Sequence, residues 1–148
     1  MKAHYLGHVV FYVRDLERSL AFYRDLLGFQ EVGQIFNGMA SALTSGRTHH
    51  ELLLIQVGEA PGPPSGRRCG LYHIGIKVGD SLDELRAAKH ELEQAGVPIE
   101  GMSDHTVSQS LYLRDPDGNE VELYVDADAS IWQSTPSAVL SPIKPLLL

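Results

Sequence analysis

The stretch His8-Val9-Val10-Phe11-Tyr12-Val13, with Asp15 two places beyond it, returns later in the chain as His73-Ile74-Gly75-Ile76-Lys77-Val78, with Asp80 two places beyond. Each reads as a strand with one apolar face. The segments after the two stretches are alike as well. Asp15 opens a helical pattern that puts Leu16, Leu20, Tyr23 and Leu27 on one face and stops at Gly28. Ser81 and Glu84 form a capping box ahead of Leu82, Leu85, Ala88, Leu92 and Ala95, and Gly96 ends that helix. Three extended segments complete each half: Phe29 to Phe36, Met39 to Thr44 and His50 to Val57, then Pro98 to Gly101, Ser108 to Asp115 and Glu120 to Asp126. The turn Asp115-Pro116-Asp117-Gly118-Asn119 joins the last two.

The repeat predicts an α+β fold of two βαβββ modules, each burying one sheet face under its helix and curving with the other around a common cleft that holds one metal site. One domain is expected over 1–148, with module one at 5–58, module two at 70–126 and a C-terminal extension at 127–148. The extension, with Trp132 and three terminal leucines, reads as irregular chain packed on the domain or on a second subunit, which predicts a homodimer.

Composition narrows the function classes. With 43% hydrophobic and 21% charged residues in 148, the chain is neither disordered nor a membrane protein. Twelve basic against nineteen acidic residues give a net charge of −7, which argues against nucleic acid as a partner. The N-terminal Met1-Lys2-Ala3-His4-Tyr5 lacks an apolar stretch of signal-peptide length, so a cytoplasmic location is expected. Cys69 is the only cysteine and sits in a Pro/Gly-rich loop, so it reads as a bystander thiol.

Strand alternation sorts the histidines. Val9, Phe11 and Val13 form the helix-facing set, which turns His8, Val10 and Tyr12 toward the cleft. Ile74, Ile76 and Val78 do the same in the repeat, leaving His73 with Gly75 and Lys77. In the last strand Val121, Leu123 and Val125 are covered, so Glu122 and Tyr124 point to the cleft. His8, His73 and Glu122 are therefore the candidate metal ligands. Two neutral imidazoles and one carboxylate suit a divalent transition metal with open positions, Fe(II) for oxygen chemistry, with Mn, Ni or Zn also compatible.

The chain resembles the vicinal oxygen chelate superfamily of glyoxalases, bleomycin-resistance proteins and extradiol dioxygenases. The matching stretches are Gly7-His8-Val9, Tyr12-Val13-Arg14-Asp15-Leu16, Ala21 to Phe29, Tyr72-His73-Ile74 and Ser110 to Tyr124. Within it, His49-His50-Glu51-Leu52 resembles the place where extradiol enzymes keep a catalytic histidine, and Asp104-His105 with Tyr112 resembles their His and Tyr beside the substrate. The resemblance implies a metal-dependent extradiol dioxygenase that takes a catechol-like diol and O2 as small-molecule partners. His50 would be its acid/base, and His105 and Tyr112 would hydrogen-bond the substrate oxygens. Gln109 stands where a His is common in such enzymes, and the loop from Gly58 to Gly70 lengthens the step from His50 to His73.

Two rivals share the same scaffold. A glyoxalase-type isomerase needs a fourth ligand from the first module, for which Glu51 is the candidate. Alternation sends His50 and Glu51 to opposite faces, and taking Leu53, Ile55 and Val57 as the covered set turns His50 to the cleft; Leu52 and Leu54 are apolar too and support the opposite choice. A metal-free binding module of the bleomycin-sequestering kind is the other.

Overall fold

Strand β1 (Val9–Val13) follows the alternation, with Phe11 and Val13 buried and Val10 and Tyr12 exposed. The computed structural model describes residues 1–148 and divides into two compact units, Met1–Ser65 with Pro116–Gly118 and Gly66–Asp115 with Asn119–Leu148. In the first unit, β2 (Gln30–Ile35), β3 (Ala40–Thr44) and β4 (Leu52–Gln56) join β1 in a sheet of order β1-β4-β3-β2. β1 and β4 run parallel and the other pairs antiparallel, as a βαβββ unit requires.

The helical pattern after Asp15 is realised in two pieces. Asp15 caps α1 (Leu16–Leu20) by accepting the Arg18 N–H at 2.8 Å, and a π-helical segment continues over Ala21–Leu26. The Leu27 N–H reaches back five residues to the Phe22 carbonyl. The wider turn rotates the buried stripe, so Phe22 and Tyr23 are both buried while Leu27, expected on the apolar face, is half-buried. Gly28 takes φ +78°, the left-handed conformation that ends the helix.

The first unit also includes Asp117. Its carboxylate accepts the Arg14 N–H at 3.2 Å and the Arg14 and Arg18 guanidinium groups at 2.9 and 3.0 Å.

The second unit repeats the plan: β5 (His73–Gly79), α2 (Leu82–Gln94), β6 (Ile99–Asp104), β7 (Ser108–Arg114) and β8 (Glu120–Asp126). The capping box is present, with Ser81 Oγ accepting the Glu84 N–H and Glu84 Oε2 accepting the Asp80 N–H at 2.8 Å. Gly79 makes room for it, because a Cβ there would lie 2.6 Å from Glu84 Cβ. The buried stripe of α2 is narrower than the pattern suggests: Leu85 and Leu92 are buried, whereas Leu82 and Ala95 are exposed. β6 runs to Asp104 rather than stopping near Gly101, because β7 offers it partners as far as Gln109.

The extension is not irregular. It forms α3 (Ala129–Ser134), a 3₁₀ turn over Pro136–Leu140 and a short strand β9 (Lys144–Pro145). β9 pairs antiparallel with β6, giving a sheet of order β5-β8-β7-β6-β9. A sheet edge with unpaired backbone groups offers a ready partner to any extended tail, which composition alone does not reveal. No helix of the chain is long and apolar enough to cross a membrane.

Candidate metal and catalytic site

In the second unit the ladder registers His73 with Glu120, and Glu122 with Gly75 and Tyr112, so these side chains share one face of the sheet. Val121, Leu123 and Val125 occupy the other face and are buried, which fixes the orientation. His73 Nε2 lies 3.1 Å from Glu122 Oε2. The second carboxylate oxygen, Oε1, accepts the Ser110 hydroxyl at 2.6 Å and the Tyr112 hydroxyl at 3.0 Å. Tyr112 Oη is also 2.7 Å from His105 Nε2. A single phenol proton serves one of those two contacts, so with Tyr112 donating to Glu122, His105 donates to Tyr112.

His105 is placed by the turn between β6 and β7. Its N–H donates to the Ser108 carbonyl at 2.8 Å, and Asp104 Oδ1 accepts the Thr106 N–H at 2.7 Å. Thr106 takes φ +73°, an uncommon conformation for a β-branched residue, and the two hydrogen bonds hold it there. Burial raises the pKa of the Tyr112 phenol, and the charge and hydrogen bond of Glu122 add to the rise. The hydroxyl therefore keeps its proton through the neutral range. An open pocket of about 430 Å³ lies here, lined by His73, His105, Tyr112, Tyr72, Glu120 and, from the chain just ahead of β9, Ile143.

In the first unit the rings of His8 and His50 lie 4.6 Å apart, and His49 and His50 bring their Nδ1 atoms to 2.6 Å. Burial lowers the pKa of His50, the charges of His49 and His8 lower it further, and Glu51 opposes them. Glu51 itself is committed to the turn after β3. Its Oε2 accepts the Ser45 N–H at 2.7 Å and the Thr44 hydroxyl at 3.0 Å, and Arg47 lies 3.4 Å from Oε1. Burial works against that carboxylate, but these donors and the Arg47 charge hold its pKa below the ordinary value.

The covered set on β4 is Leu52 and Leu54, both buried, and not Leu53, Ile55 and Val57. The reason is register: Leu54 pairs with Phe11, and side-by-side residues of a ladder share a face. His50 precedes β4, and its ring lies 4.6 Å from that of His8, a contact that its parity with Leu52 and Leu54 does not assign.

The chain thus brings His73, Glu122, His105 and Tyr112 together in the second unit, and His8 and His50 together in the first. No three or more His, Cys, Asp or Glu side chains of the chain form a group arranged to hold a metal ion. Ser110 and Glu120 escaped sequence reading. Both stand two places before a candidate residue, Tyr112 and Glu122, so strand alternation alone carries the signal for them.

Comparison with known proteins gives the same frame. Residues 5–123 match the family model described as the glyoxalase/bleomycin resistance protein/dioxygenase superfamily. A protein of Bacillus subtilis (strain 168) named catechol-2,3-dioxygenase is 38% identical over 129 residues, which cover 87% of this chain but 44% of that protein. Biphenyl-2,3-diol 1,2-dioxygenase 3 of Rhodococcus globerulus is 32% identical over 140 residues, covering 88% of this chain and 67% of that one. Among solved structures, lactoylglutathione lyase from Agrobacterium tumefaciens superposes with a TM-score of 0.64 at 27% identity, covering 89% of this chain and 98% of that chain. On its fold, its repeated modules and this match over most of its length, the chain belongs to the glyoxalase/bleomycin resistance protein/dioxygenase superfamily.

Proposed function

We propose that the chain is a metal-dependent extradiol ring-cleavage dioxygenase acting on a catechol-like aromatic diol with O2. The metal ligands are His8, His73 and Glu122, with Fe(II) as the metal, and His50, His105 and Tyr112 are the catalytic residues. The observation that carries the reading is the hydrogen-bonded His105–Tyr112 pair, 2.7 Å apart, which lines one pocket with His73, whose Nε2 lies 3.1 Å from Glu122 Oε2. The dioxygenase names of the Bacillus and Rhodococcus relatives support it.

The donor set of the second unit fits a divalent metal. His73 Nε2 and Glu122 Oε2, an imidazole nitrogen and a carboxylate oxygen 3.1 Å apart, are the donor types that would hold such an ion. When bound, Fe(II) would supply a redox-active Lewis acid with open positions for diol and O2. The protein's own groups do the rest. Ser110 and Tyr112 hold Glu122 Oε1, which leaves Oε2 free to act as the ligand atom. With the Tyr112 proton donated to Glu122 and the His105 Nε2–H donated to Tyr112, these two groups meet the diol as acceptors. They take hydrogen bonds from its hydroxyls and so orient it. His50, kept neutral by its lowered pKa, accepts the proton of a diol hydroxyl and returns it later in the turnover.

A lyase of the glyoxalase type is the second reading, favoured by the likeness to the Agrobacterium structure. It requires Glu51 as a metal ligand, and the Glu51 carboxylate is engaged by Thr44, Ser45 and Arg47. Aerobic assay of the Fe(II)-loaded protein against a panel of catechols separates the readings. A yellow ring-opened product is expected; turnover of a glutathione hemithioacetal without ring cleavage would select the lyase. Binding of neither metal nor diol would leave a metal-free binding module.

A further inference from the structure

We infer that Glu120 is a positioning residue that fixes the ring orientation of His73 by accepting a hydrogen bond from its Nδ1–H. The inference rests on the proposed metal role of His73 only for its consequence, not for the contact itself. His73 stands between two carboxylates, with Nε2 3.1 Å from Glu122 and Nδ1 3.4 Å from Glu120 Oε1. The register of β5 against β8 places His73 beside Glu120 on one face of the sheet. Both His73 Nδ1 and Glu120 Oε1 are buried, and neither has a hydrogen-bond partner. A buried donor and a buried acceptor left unpaired are costly, and at 3.4 Å a small reorientation of the two side chains pairs them.

The other side of Glu120 is held in turn. Arg114 Nη2 lies 3.4 Å from Oε2, and the Arg114 guanidinium also contacts Glu100 at 3.1 Å. Tyr72, whose ring is 4.7 Å from that of His73, interacts with the Glu120 carboxylate by hydrogen bond and charge, which raises its own pKa. A carboxylate so anchored orients an imidazole. A proton kept on Nδ1 leaves the Nε2 lone pair for a metal, the arrangement by which a carboxylate behind a histidine raises metal affinity.

The test uses the full chain labelled with ¹⁵N-histidine, its Glu120→Gln, Glu120→Ala and Glu120→Met variants, and zinc as the probe. Met keeps the side-chain volume without a comparable acceptor, in case the Ala variant fails to fold. Expected is a slowly exchanging Nδ1 proton on His73 in the wild type and in Glu120→Gln, lost in Glu120→Ala and Glu120→Met. Zinc affinity should fall about 10–100-fold in the last two and by less in Glu120→Gln. An Nδ1 proton that persists without an acceptor at 120, or is absent from the wild type, overturns the inference even if zinc binds tightly. A wild type that shows the proton but binds no zinc upholds the contact and removes His73 from the ligand set.

Discussion

His73 Nε2 and Glu122 Oε2 face each other at 3.1 Å, while the other oxygen of Glu122 is occupied by the hydroxyls of Ser110 and Tyr112. Glu122 is therefore held by one oxygen and available at the other. Glu122→Ala should abolish stoichiometric divalent metal, measured by elemental analysis, and should also lower the melting temperature. Its removal strands the buried Ser110 hydroxyl, at a cost of about 1–3 kcal/mol. His8→Ala and His73→Ala should lose metal as well. Metal content that survives each of the three single changes would mean that the ligands have been misassigned.

His50 and Glu51 separate the two chemistries. His50→Ala should retain metal and diol binding and lose turnover on the order of 10²–10⁴-fold, the usual loss for a general acid/base. Glu51→Ala should retain both metal and turnover per folded molecule. Metal loss in Glu51→Ala with normal turnover in His50→Ala would move the protein to the lyase branch.

Glu51 should matter for stability in a pH-dependent way. Its folded pKa lies below the ordinary 4.5, so the unfolded chain binds more protons as pH falls through 4.5 and below. The stabilisation is complete at neutral pH and is lost progressively in acid. Glu51→Gln should therefore melt below the wild type at pH 7, with the gap closing toward pH values below 4.5. A gap that stays constant with pH would show that the carboxylate charge contributes nothing.

Asp117 gathers one backbone N–H and two guanidinium groups on a side chain that is 6% exposed. Asp117→Ala should destabilise by about 2–3 kcal/mol in a urea titration, most of it from the Arg14 contacts. Arg18, half exposed, adds little. Arg18→Ala should accordingly be nearly neutral; a loss as large as that of Asp117→Ala would contradict this division.

The C-terminal segment exposes Trp132, Val139, Leu140, Ile143 and Leu147. Apolar surface of this kind favours association, and we expect a homodimer. Sedimentation velocity across the micromolar range should show it, and a monomer at every concentration would count against it.

The repeat of His8 to Val13 in His73 to Val78, the alternation along β1 and β8 and the capping signals at Asp15 and Ser81 belong to the local sequence, and the two βαβββ units arise from them. Period and capping are properties of neighbouring residues, so a reading of the chain finds them. The nearness of His73 to Glu122 was legible in the same way, from two strands whose covered faces are unmistakable.

Other features depended on partners far along the chain. Which face of β4 is covered was settled by Phe11 pairing with Leu54, because a strand apolar on both faces carries no internal sign of its orientation. The π-helical segment that buries both Phe22 and Tyr23, and the pairing of β9 with the edge of β6, likewise answer to packing rather than to propensity. So do the carboxylate of Glu120 behind His73 and the capture of Glu51 by Ser45 and Thr44. The sequence by itself determined the two modules and the candidate residues; tertiary structure decided which buried polar groups face one another, because register and packing, not local pattern, set those distances.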